Sequence, residues 1–191
     1  DDTQKTLSEL AAFVQQDLEI FAEDNIPAEQ VSEEISIPEA ATTASIDFAA
    51  LSQRIASDRQ YIDSAETQRD FDEDLLNIFL EEADELLVGI DEDLNTWSKK
   101  QDDTTSLNNL MRHLHTLKGG ANMISAPFIG SIAHELESIY ERVIRQQIAT
   151  TPQLISIIRL VQDDVADRIQ VIRTEKVDYP ATATIKVLHD I

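Results

Sequence analysis

The chain has no cysteine among its 191 residues. That excludes a disulfide framework, a thiolate metal site and a cysteine nucleophile. It has only four glycines, Gly89, Gly119, Gly120 and Gly130. They are too few and too scattered for a glycine-rich nucleotide loop. Aromatic residues make up only 5% of the chain. No apolar run approaches the ~18 residues needed to cross a bilayer, and no basic-then-apolar leader opens the sequence. Positive charge is also scarce: 15 basic side chains against 37 acidic ones give a net charge of -22. Nucleic acid and anionic lipid both require a positive surface, so neither is an expected partner. Lack of cysteine is compatible with a reducing cytoplasm. The chain opens on Asp1 rather than Met, and a fragment of a longer protein is expected.

What is present is helical periodicity. Leu7, Leu10, Ala11, Val14, Leu18 and Phe21 form one stripe, which predicts an amphipathic helix over 3–22. Residues 23–45 hold Pro27, Pro38 and a small-residue run and read as an acidic linker. Residues 1–53 carry twelve acidic side chains against the single Lys5, so the segment repels itself. Residues 46–70 regain a short helical pattern through Phe48, Leu51, Ile55 and Ile62, with Asp47 as its cap.

Four longer stripes follow over 71–174. Phe71, Leu75, Phe79, Ala83, Leu86, Ile90, Leu94 and Trp97 define the first. Its other face is acidic, which reads as a solvated surface rather than a ligand set. The second helix is expected over 106–124, capped by Thr105 or Ser106. The third is expected over 127–147, with Pro127 at its start, and the fourth from Pro152, capped by Thr150 or Thr151. Short connections between long stripes predict an all-α, antiparallel up-down four-helix bundle. Residues 175–191 mix β-branched residues with Pro180 and form a C-terminal tail that periodicity does not place.

The second helix carries the chemistry. Leu110, Leu114 and Leu117 mark its apolar face, and His115 borders that face. Lys118 and Gly119 stand one turn further on the same side. Two successive glycines in a helix cost roughly 1 kcal/mol each relative to alanine. Gly119 and Gly120 are therefore expected to leave bare backbone for the close approach of another molecule. His113 is two residues, about 200°, from His115, so the two cannot chelate one metal. It is expected to pack or to face solvent, and His189 to have no specific role.

His115-Thr116-Leu117-Lys118-Gly119-Gly120-Ala121 resembles the His-x-x-Lys-Gly-Gly/Ser-Ala motif of histidine phosphotransfer (HPt) domains, most closely those of CheA-like histidine kinases. His134-Glu135-Leu136-Glu137 resembles the family's second motif, His-x-x-Glu, on the next helix. Leu75 to Leu87 is similar to the first HPt helix of CheA-like hybrid kinases, some of which govern pilus-based motility.

The resemblance implies that His115 is the phosphoacceptor and that Glu137 orients its imidazole. Lys118 would supply fixed positive charge for the phosphoryl oxygens. The family also places His134 close to the acceptor, and Arg112, three residues before His115, would help neutralise phosphate. The implied partners are a CheA-like kinase ATP-binding domain and response-regulator receiver domains. ATP and Mg²⁺ would sit on those partners, with no cofactor bound here. Two other readings remain open. One is a docking module that carries no phosphate. The other is a metal-binding bundle in which His115, His134 and Glu137 hold Zn²⁺, disfavoured by Lys118 beside them.

Overall fold

The computed structural model describes residues 46–191 apart from 65, 66 and 68. The expected helix over 3–22 and nearly all of the acidic linker lie outside the described residues. Among those described there are six α-helices: α1 (Phe48–Ala56), α2 (Glu73–Lys99), α3 (Thr104–Met123), α4 (Pro127–Ile144), α5 (Pro152–Glu175) and α6 (Thr182–His189). A 3₁₀ turn, Ser57–Tyr61, follows α1. Helices α2 to α5 form the all-α up-down bundle, each packed on its sequence neighbour and α2 closing on α5.

Local signals place the helix starts. Asp47 Oδ1 accepts from the amides of Ala49 and Ala50 at 3.0 Å and caps α1. Asp72 Oδ1 accepts from Leu75 N, and Thr151 Oγ1 from Leu154 N, at the starts of α2 and α5. Pro127 and Pro152 occupy the first turns of α4 and α5, where no amide hydrogen is needed. The expected cap of α3 is corrected: Asp103, not Thr105 or Ser106, precedes the helix, and Ser106 donates its hydroxyl to Asp103 Oδ2 at 2.7 Å.

The helix ends carry no glycine. Ser125 and Gln146 take left-handed backbone with φ of 61° and 57°. Ala126 N bonds Ala121 O, and Gln147 N bonds Arg142 O, each at 2.8 Å. These six-to-one bonds are Schellman closures, which satisfy the last carbonyls of α3 and α4.

The core runs the length of the bundle. Trp97 and Tyr140 are fully buried and meet edge to face at 5.8 Å. Each polar tip finds a partner, as burial demands. Trp97 Nε1 donates to Gln101 O at 3.3 Å, and Tyr140 Oη accepts from Gln162 Nε2 at 2.8 Å. The α2 stripe is shifted from its expected line. Leu76 and Leu80 are buried, whereas Leu75 is 37% exposed. Successive residues stand 100° apart around the helix, so turning Leu76 into the core turns Leu75 toward solvent.

Residues 176–191, unplaced by periodicity, pack on the bundle. Val177, Tyr179, Ala181, Thr184, Val187 and Leu188 are buried. Arg69 N donates to Lys176 O and Asp178 N to Thr67 O, both at 3.3 Å, joining the lead-in to the chain after α5. At the heart of this addition lies Arg168, 1% exposed. Its Nε donates to Asp164 at 2.8 Å, its Nη2 to Asp58 at 3.2 Å and its Nη1 to Tyr179 O at 2.7 Å. The guanidinium also stacks 4.0 Å from the centre of the Tyr179 ring. Asp58 in turn accepts from the amides of Ala183 and Thr184 at 2.9 and 3.0 Å, capping α6 from 125 and 126 residues away.

Candidate functional site

The site is built where α3 and α4 lie side by side. Asn122 on α3 and Gly130 on α4 set the approach: a Cβ at Gly130 would stand 2.9 Å from Asn122 Oδ1. With no side chain there, the two helices come close enough for groups on facing turns to bond. His115 Nδ1 lies 3.1 Å from Glu137 Oε1, and Lys118 Nζ donates to Glu137 Oε2 at 2.5 Å. One carboxylate therefore holds two residues of the motif, one turn apart.

Burial raises the proton affinity of Glu137. The hydrogen bonds from Lys118 and then His115 outweigh it and hold the carboxyl below its ordinary value. Glu137 is thus an ionised acceptor at neutral pH, and His115 must present Nδ1–H to it. The neutral imidazole then carries its lone pair on Nε2, which makes no hydrogen bond among the described residues. The His115 side chain is 70% exposed, against 20% for Glu137 and 25% for Lys118. The arrangement is an outward imidazole on a sheltered ion pair.

The remaining predicted residues divide. Gly119 opens on free space: nothing lies within 4 Å of a Cβ placed there. Gly120 is a correction. A Cβ at that position would stand 2.9 Å from Phe79 Cδ2, so this glycine makes room for α2 inside the bundle rather than for an incoming molecule. His134 and Arg112 are both exposed, and neither side chain bonds to the His115–Glu137–Lys118 set. Both oxygens of Glu137 are already committed, one to an ammonium, and among the described residues no group of three His, Asp or Glu is placed to hold a metal.

Sequence reasoning left two imidazole–carboxylate contacts unseen. His113 Nε2 lies 3.1 Å from Asp93 Oδ2 across α2 and α3. His189 Nε2 lies 3.2 Å from Glu135 Oε2 across α6 and α4, where no specific role was expected for it. Neither carboxylate is shared with a lysine in the way Glu137 is.

Comparison with known proteins gives the family. A family model described as "Hpt domain" matches residues 74–175, more than half of the chain. The chain belongs to the Hpt family. Its histidine phosphotransfer bundle is similar to part of the sensor histidine kinase CheAY of Helicobacter pylori, 26% identical over 86 residues, covering 45% of this chain and 11% of that protein. It is likewise similar to the chemotaxis protein CheA of Klebsiella aerogenes, 24% identical over 98 residues, covering 51% of this chain and 15% of that one. The chain thus spans only a small part of the length of these relatives. The fold is shared with the phosphorylated P1 domain of CheA3 from R. sphaeroides, solved in complex with CheY6. The TM-score is 0.55 at 15% identity, covering 62% of this chain and 92% of that one. Among the described residues of this Hpt domain, no helix is long and apolar enough to cross a membrane.

Proposed function

We propose that His115 of this Hpt domain is the phosphoacceptor in a chemosensory phosphorelay. The observation that carries the reading is the pairing of His115 Nδ1 with an ionised Glu137, which leaves a lone pair on the exposed Nε2. The Nε2 lone pair attacks the γ-phosphorus of ATP held with Mg²⁺ on a CheA-like kinase domain, and ADP leaves. The Nδ1 proton stays on the ring, bonded to Glu137, so a phosphoimidazolium forms without a proton in flight and its ring charge faces the Glu137 carboxylate. An aspartate oxygen of a receiver domain then attacks the same phosphorus. The P–N bond breaks and its electron pair returns to Nε2. Lys118 faces the charge that develops on the phosphoryl oxygens, and catalysis is positioning and electrostatics, with the metal supplied by the partner.

The relatives support the choice of partners: two are CheA-type kinases, and the solved P1 domain is bound to a CheY. Such partners support a cytoplasmic location for the domain. Arg112 and His134, exposed on either side of the site, would meet the partner rather than orient the imidazole.

The test is phosphotransfer from a phosphorylated receiver domain, or from ATP through a CheA-type kinase domain, with Mg²⁺. The parent takes up acid-labile label and His115→Gln takes none. Absence of label on the folded parent from several matched donors would point instead to a docking module without phosphate chemistry.

A further inference from the structure

Helix α3 is gripped on two sides, and only one grip touches the reacting imidazole. On the α4 side Glu137 holds His115 and Lys118. On the α2 side a second carboxylate, Asp93, does the same for the residues just before them. Its Oδ1 accepts from Asn109 Nδ2 at 3.2 Å, and its Oδ2 lies 3.1 Å from His113 Nε2. A carboxylate accepts, so His113 presents Nε2–H, the opposite tautomer to that of His115.

Gly89 is what admits this contact. It lies in the interior of α2 with ordinary helical backbone, so no turn or positive φ requires a glycine there. A Cβ at Gly89 would stand 2.8 Å from His113 Nε2 and 2.9 Å from Cε1. The helix accepts an unfavourable residue at the one place where the imidazole must lie against it.

We propose that Asp93 and His113, seated on Gly89, are positioning residues that fix the rotation of α3 and hold His115 in register with Glu137. The proposal rests on the reading of His115 as the phosphoacceptor. His113 and His115 point about 200° apart, so seating one against α2 turns the other outward. A rotation that withdrew His115 from Glu137 would break the His113–Asp93 bond.

Three variants remove the device without touching His115, Lys118 or Glu137: Asp93→Ala, His113→Phe and Gly89→Ala. The last keeps both partners and only pushes the imidazole off its seat. Each is tested for transfer from a phosphorylated receiver domain, with ¹⁵N shifts of the His115 ring reporting its tautomer. The expected result is a fall in kcat on the order of tenfold, KM within about twofold of the parent because the exposed face is unchanged, and a His115 ring no longer confined to Nδ1–H. His113→Gln, whose amide reaches as far as Nε2, restores the rate. Parental kcat and an unchanged His115 tautomer in the folded variants would overturn the proposal. If Asp93→Ala or His113→Phe fails to fold, Gly89→Ala decides alone, since alanine favours the helix. If the parent itself takes no phosphate, the phosphoacceptor reading fails, and the tautomer of His115 still tests the positioning.

Discussion

The bundle holds two ionic constellations made from nearly the same parts, and they serve opposite ends. At His115 one carboxylate sits between an imidazole and an ammonium on the outside of the bundle. At Arg168 one guanidinium sits between two carboxylates and two backbone carbonyls in the interior, and the Thr184 hydroxyl donates to one of those carboxylates, Asp164. The difference lies in what each leaves unsatisfied. Arg168 spends its donors on Asp58, Asp164, Tyr179 O and Pro180 O and is closed to solvent. His115 bonds through one nitrogen and keeps the other outward. A saturated buried network fixes structure, whereas an exposed network with one open valence can do chemistry.

The largest expected effect comes from breaking the buried member. Arg168→Leu leaves Asp58 and Asp164 facing each other without their cation, and loss of one partner from a buried pair costs on the order of 3–5 kcal/mol. Urea unfolding should show that loss, with α6 released first because Asp58 caps it from across the fold. Phosphotransfer per folded molecule should stay within about twofold of the parent, since the α3–α4 contact does not involve Arg168. A variant as stable as the parent would show that the network contributes nothing. A folded variant with transfer down by a large factor would show the two constellations to be coupled.

How much of this comparison the sequence carried depends on where the partners lie along the chain. Lys118 follows His115 by three residues on one helix, so their proximity is read from spacing alone. Glu137 is 22 residues away, and only the resemblance to Hpt domains brought it to His115. The four bundle helices showed themselves through apolar stripes and through Thr151, Pro127 and Pro152. Their ends did not, because Ser125, Gln146 and Lys176 take the left-handed turn that glycine usually signals. Asp58 lies 110 residues from Arg168 in a polar run that reads as surface, and nothing local marks it as the cap of α6. Likewise Gly119 and Gly120 are one motif in sequence, but a helix turns 100° between them, and that angle separates free space from the Phe79 ring.

A smaller effect lies between the two constellations in burial. Asp178 caps the start of α4, accepting from Phe128 N at 3.0 Å, but its Oδ1 is buried without a partner. Burial pushes its carboxyl up to about 6, from an ordinary 3.8. A raised carboxyl binds more protons folded than unfolded. The fold is therefore favoured by this group at low pH, and the benefit is lost as pH rises from about 4 through about 6. The swing is at most about 3 kcal/mol for a shift of roughly two units. Glu137 has the opposite sign: its contribution is present above its ordinary 4.5 and is lost as pH falls through its depressed value. Asp178→Asn keeps an acceptor for Phe128 N and removes the titration. Its unfolding free energy should vary less between pH 4 and 7 than the parent's and exceed the parent's at pH 7. An unchanged pH slope would place the titrating group elsewhere.

The smallest effect separates the two glycines, and it is the one in which stability and function take opposite signs. Gly120→Ala drives a methyl to 2.9 Å from Phe79 Cδ2, and the ring is locked in the core. The strain of overpacking, typically 1–3 kcal/mol, exceeds the roughly 1 kcal/mol gained in helix propensity. The variant should be slightly less stable than the parent. Gly119→Ala meets nothing within 4 Å, so it should keep the whole propensity gain and unfold later than the parent. If the bare backbone at Gly119 exists for a docking partner, the same methyl stands one turn from His115 in the path of the incoming face. Transfer from a receiver domain should then slow through KM, while the His115 tautomer stays as in the parent. A Gly119→Ala domain that is both more stable and equally fast would leave the glycine without a use, and the open side of His115 would be wider than the partner requires.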